Sequence, residues 1–133
     1  MSSSRVTLRR LLWVDCVGAF VVGALLLVAA GGLSGLLGFP AWALRAEGAA
    51  NVAYGLFSSS LARRAAPPRR LVLRLAALNV AWGALATVLS VALAGTTTPL
   101  GTAHLLVNAV YVGGLGLLER RVATSAAVAP TVG

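Results

Sequence analysis

Residues 9–30 read RRLLWVDCVGAFVVGALLLVAA. Two arginines lead into a long run of Leu, Val, Ala, Phe and Trp in which Asp15 is the one charge. About 20 mainly apolar residues make a helix long enough to cross ~30 Å of hydrocarbon, so a membrane span is predicted over 11–30. Basic residues before the run and Ala29-Ala30 after it are also features of a signal peptide. The apolar stretch is longer than the usual signal core and Asp15 interrupts it, so a retained helix is expected.

Working outward, three more apolar stretches follow, predicting helices over 41–61, 71–94 and 99–118. An uncharged outer loop over 31–40 is expected from Gly31, Gly32, Gly35, Gly38 and Pro40. Pro67-Pro68 stops a helix between the second and third spans. Thr98-Pro99 is a helix start, with Thr98 as cap and Pro99 at the first helical position. Trp42 at the head of the second span suits an aromatic belt.

The arginines decide orientation. Arg5, Arg9 and Arg10 precede the first span, Arg63, Arg64, Arg69 and Arg70 fill the second connection, and Arg120 and Arg121 follow the fourth. Arg74 lies one turn inside, and Arg45 alone lies toward the other side. Cytoplasmic loops collect basic residues, so a multi-pass protein of the bacterial cytoplasmic (inner) membrane with both termini inside is expected. The fold class is all-α: four transmembrane helices as two tandem hairpins. A domain over 1–121 and a flexible cytoplasmic tail over 122–133 are expected.

Composition agrees. Of 133 residues 59% are hydrophobic and 11% charged, against roughly 25% charged in soluble domains. The net charge of +8 flanks apolar spans, which points to lipid head groups rather than nucleic acid. Cys16 is the single cysteine, which excludes an intrachain disulfide and a Cys-x-x-Cys centre.

The halves repeat. Arg9-Arg10-Leu11 matches Arg69-Arg70-Leu71, and Gly23-Ala24-Leu25 matches Gly83-Ala84-Leu85, at an offset of 60. Asn51-x-x-Tyr54 matches Asn108-x-x-Tyr111, and Arg63-Arg64 matches Arg120-Arg121, at an offset of 57. Two like hairpins related by a pseudo-twofold axis along the membrane normal are implied.

Ionisable groups in hydrocarbon are costly and usually face the bundle interior with a partner. Glu47, Asn51 and Tyr54 share one helical face, and His104, Asn108 and Tyr111 repeat that spacing. Glu47 and His104 correspond in the repeat; either they meet in a charge-assisted hydrogen bond, or, the favoured reading, both only glue helices together while the asparagines and tyrosines bond across the seam, with Arg45 a competing partner for Glu47. On the inner side Asp15 and Arg74 start their helices at similar depth. An ion pair between them is expected, with Asn79 nearby; the alternative has Arg74 snorkelling to the head groups. Ala49 with Ala53, and Ala77 with Ala81, have the small-xxx-small spacing of close helix contacts.

A Gly-rich phosphate loop, metal-ligand spacings and a Ser-His-Asp set are absent from the sequence. A single histidine excludes bis-histidine haem ligation, and three acids make a carboxylate metal site improbable. No cofactor, metal or catalytic residue is therefore expected.

Asp15 early in the first span, Gly35-Leu36-Leu37-Gly38-Phe39-Pro40, Leu44-Arg45-x-x-Gly48, Asn79-x-x-Trp82 and Thr98-Pro99-Leu100-Gly101 give the chain its order of features. In that order it resembles a group of small bacterial four-helix integral membrane proteins of unknown function. The resemblance covers nearly the whole chain and implies the fold but no activity. Small multidrug exporters carry a glutamate where this chain has Asp15 and lack its charge bias. Quinone-linked thiol oxidoreductases need cysteine pairs. The expected function is a non-enzymatic bundle, either an accessory or assembly subunit for a membrane-protein partner or homo-oligomer, or a binder of a lipid-like ligand. The alternatives are a proton-coupled transporter using Glu47, His104 and Asp15, and an enzyme with Glu47 and His104 as its acid–base pair.

Overall fold

The structure, a computed structural model, describes residues 3–125 as four helices: α1 Ser3–Leu37, α2 Ala41–Ala62, α3 Arg69–Ala92 and α4 Pro99–Ser125. Among the described residues there is no strand. Of the expected tail, residues 122–125 continue α4 and 126–133 lie outside the described residues.

The first helix overruns the expected outer loop. It passes through Gly31, Gly32 and Gly35 and stops at Gly38, whose φ of 74° is a left-handed conformation that glycine adopts freely. Gly38 N–H donates to Ser34 O at 2.9 Å, and the Ser34 hydroxyl donates to Phe39 O at 2.6 Å, closing the turn. Glycine weakens a helix by only about 0.5–1 kcal/mol per residue. Here Leu26, Ala30, Leu37 and Leu44 bury together with Leu33 against them, and that packing offsets the weakness.

Pro68 precedes α3 with φ −59° and ψ 124°, an extended geometry from which Arg69 starts the helix. Thr98 caps α4: its hydroxyl accepts from Gly101 N–H at 3.1 Å and donates to Leu36 O at 2.7 Å. One side chain thereby satisfies a helix end and ties α4 to the end of α1.

α1 lies along α2, and α3 along α4; α1 also meets α4, whereas α2 and α3 barely touch. Glycines set the close approaches. A Cβ on Gly23 would stand 2.9 Å from Gly48 O, and one on Gly48 equally near Gly23 O. A Cβ on Gly83 would stand 2.7 Å from Gly113 Cα. The helix contacts expected from Ala49, Ala53, Ala77 and Ala81 are not used; all four are exposed, Ala81 in the gap between α2 and α3, because the glycine pairs let backbones come nearer than alanines would.

At one end of the bundle Leu12, Leu61, Ala62, Val72, Leu75 and Ala123 form a buried cluster, gathering the starts of α1 and α3 with the ends of α2 and α4. The outer faces are apolar. On α1, Val14, Val17, Val21, Leu25 and Val28 recur at three- and four-residue spacing and are exposed, Val28 by 89%. Val88 and Val91 on α3, and Val107 and Val110 on α4, continue this surface. Such continuous apolar cover suits lipid and not water. Three helices, over Arg5–Leu37, Arg69–Ala92 and Pro99–Ser125, are long and apolar enough to cross a membrane. α2 falls outside that group; it carries Arg45, Glu47, Asn51 and Ser58-Ser59-Ser60.

Candidate functional site

Since α2 and α3 barely meet, a cleft of about 400 Å³ lies between them, floored by α1 and α4. Gly18, Ala19 and Val22 supply the α1 part of the floor, and Asn108, Tyr111 and Val112 the α4 part. Ala50 and Tyr54 line the α2 wall, facing Leu78, Trp82 and Leu85 of α3. Leu78 and Leu85 are half exposed, 54% and 46%, so the cleft opens sideways onto the apolar outer surface. Polar groups interrupt this apolar lining at Asp15, Glu47, Asn51 and Asn79.

At one end Glu47 and His104 meet across the bundle. His104 Nε2 lies 3.0 Å from Glu47 Oε1 and 3.3 Å from Oε2, and among the described residues this is the only contact between a basic and an acidic side chain. Phe39 packs edge-on against the imidazole at 6.5 Å between ring centres. Asn51 does not cross to Asn108. Each amide instead donates to the carbonyl four residues back on its own helix, Asn51 to Glu47 O at 3.0 Å and Asn108 to His104 O at 3.1 Å. Asn108 Nδ2 also lies 3.3 Å from His104 Nε2. The two tyrosines turn away from each other to α1: Tyr111 donates to Val14 O at 3.2 Å, and Tyr54 to Asp15. A Cβ on Gly18 would stand 2.6 Å from the Tyr111 hydroxyl, so only glycine leaves that ring its place.

Asp15 is the hub of the other end. Its Oδ2 accepts from Tyr54 at 2.5 Å and its Oδ1 from Asn79 at 3.4 Å, while the Ser58 hydroxyl shares its one hydrogen between Leu12 O at 3.1 Å and Asp15 Oδ2 at 3.2 Å. The same Asn79 nitrogen donates to Glu119 Oε2 at 3.2 Å. One amide therefore holds two carboxyl groups, using both of its hydrogens. Asp15, Ser58, Asn79 and Glu119 are all buried, and Glu119 Oε1 has no hydrogen-bond partner.

The expected Asp15–Arg74 ion pair does not form. Arg74 is exposed on the outside of α3 and Asp15 is enclosed by hydroxyl and amide donors. The two residues start their helices at similar depth, but α1 and α3 sit diagonally and only Asn79, on the inner face of α3, reaches across. Arg45 is likewise exposed and leaves Glu47 to His104.

Sequence reasoning missed Ser58 and Glu119. Ser58 lies four residues beyond Tyr54, on the same helical face, a spacing that was available. Glu119 adjoins Arg120-Arg121 and so reads as an interfacial residue; nothing local signals that α3 closes over it.

Among the described residues no group of three or more His, Cys, Asp or Glu is placed to hold a metal ion. Comparison with protein-family models, curated proteins and solved structures gives no match to this chain.

Proposed function

We propose that the protein is a non-enzymatic membrane bundle that holds a lipid-like amphiphile in the cleft between α2 and α3. The single observation that carries this reading is the cleft itself: about 400 Å³, open to the lipid-facing side, apolar along its walls and polar at Asp15, Asn51, Asn79 and Glu47. Ligand pockets have this mix of apolar lining and a few fixed polar groups. An acyl or isoprenoid chain would lie along Leu78, Trp82 and Leu85, with a hydrogen-bonding head toward the amides.

In this reading α2 is the fourth span. Its 22 residues reach about 33 Å, and its polar side chains Glu47, Tyr54 and Ser58 bond inward to His104 and Asp15 rather than meeting lipid. The two helix pairs act as like hairpins in the cytoplasmic membrane, both termini inside. The matching Asn51 and Asn108 bonds, 57 residues apart and each to the carbonyl four residues back, support the repeat. The arginine bias supports the orientation.

Ala50 lines the cleft and is exposed, so Ala50→Phe fills it without entering the packed core. Native mass spectrometry of protein released from its own membrane is expected to find a bound amphiphile on the wild type and little on Ala50→Phe. Equal retention by both, or no adduct on the wild type, contradicts the proposal.

A second reading, a proton-coupled carrier, is favoured by one specific observation: ionisable groups, Asp15 and Glu47, line the cleft toward its two ends. It requires a hydrated path between them.

A further inference from the structure

A second cavity, of about 460 Å³, lies at the arginine-rich end and shares no lining residue with the cleft. Arg5 and Arg9 stand one turn apart on α1, Arg64 follows α2, and Arg69 opens α3; all four line it. No carboxylate does. Among the described residues no arginine lies in salt-bridge contact with a carboxylate; the one basic–acidic contact is His104–Glu47. Four arginines, all exposed, thus line one hollow with no protein carboxylate among them, so an anion placed there would meet all four. The floor that a ligand can touch is apolar, formed by Leu8, Ala65, Ala66 and Pro67 over the fully buried Leu12, Leu61 and Val72. Arg69 is held in place by its Nε–H bond to Ala123 O at 3.1 Å, and Pro67 stiffens the connection that carries Arg64.

We propose that this cavity binds the phosphate of an anionic phospholipid. The planar guanidinium fork matches phosphate oxygens in pairs. The apolar floor, at the depth where the spans begin, accepts the first carbons of the attached chain. A soluble anion would use the arginines but not the floor; zwitterionic phosphatidylcholine would use the floor but bring its own cation to the arginines.

The test uses the full chain in a neutral detergent, with phosphatidylglycerol, phosphatidylcholine and inorganic phosphate as probes. Binding is read by native mass spectrometry. Arg5→Gln/Arg64→Gln removes two cavity charges whose side chains make no internal hydrogen bond. Arg10→Gln/Arg70→Gln removes the same charge outside the cavity. The wild type is expected to prefer phosphatidylglycerol over phosphatidylcholine. The cavity variant is expected to lose roughly tenfold in that affinity, and the control to stay within about twofold. Equal loss in both variants, or no preference between the two lipids, overturns the site. Full displacement of phosphatidylglycerol by inorganic phosphate at equal concentration overturns the lipid assignment and leaves a free-phosphate pocket.

Discussion

Asn79 donates to Asp15 and to Glu119 at once, and no cation reaches either carboxyl group. Removing that amide leaves two buried acceptors short of a donor, which costs about 1–3 kcal/mol. Asn79→Ala is expected to lower thermal stability in detergent by that amount, and Asn79→Asp, which puts a third carboxyl beside the other two, by more. Arg74→Ala, which breaks no ion pair, is expected to stay within about 0.5 kcal/mol of the wild type. A collapse on Arg74→Ala would restore the ion pair that the geometry lacks. Asp15 was legible as a polar hub because a lone carboxylate in an apolar run stands out. Asn79 was expected near it; Tyr54 and Ser58 were not, because they lie 39 and 43 residues away on α2, and only the diagonal placement of α1 and α3 selects Asn79 over Arg74. Glu47 and His104, which correspond in the sequence at the offset of 57, do meet in the structure.

Helix contacts depend on which glycines meet a neighbour. Gly83 faces Gly113 and Ala109 O with no room for a methyl group, whereas Gly31 and Gly32 have no atom within 4 Å of an added Cβ. Gly83→Ala is expected to prise α3 from α4 and cost about 1–3 kcal/mol. Gly31→Ala and Gly32→Ala are expected to be neutral or to stabilise by up to about 1 kcal/mol through better helix propensity. Thermal unfolding in one detergent ranks all three; a reversed order would mean that α3 and α4 do not pack as described. Helix positions were legible from apolar length and from Thr98-Pro99. The end of α1 was not, because glycines mark a loop only where tertiary packing fails to hold them helical, and Leu33 and Leu37 hold these.

For the whole molecule, the outer surface is apolar, and under the proposed reading hydrocarbon meets both that surface and the cleft. The apolar cover was plain in composition. The cleft was not, because it arises from α2 and α3 failing to pack, a non-local outcome of Gly23–Gly48 and Gly83–Gly113 drawing each pair tight. Trp82 lines the cleft, and Trp13→Phe/Trp42→Phe leaves it as the single tryptophan, excited apart from the two tyrosines at the red edge of the absorption band. Quenching of that variant in bilayers tests the claim most directly. Lipids brominated along the acyl chain are expected to quench Trp82 strongly, and aqueous acrylamide weakly. Efficient quenching by acrylamide with no effect of brominated chains would mean a water-filled path and would contradict the lipid-binding cleft.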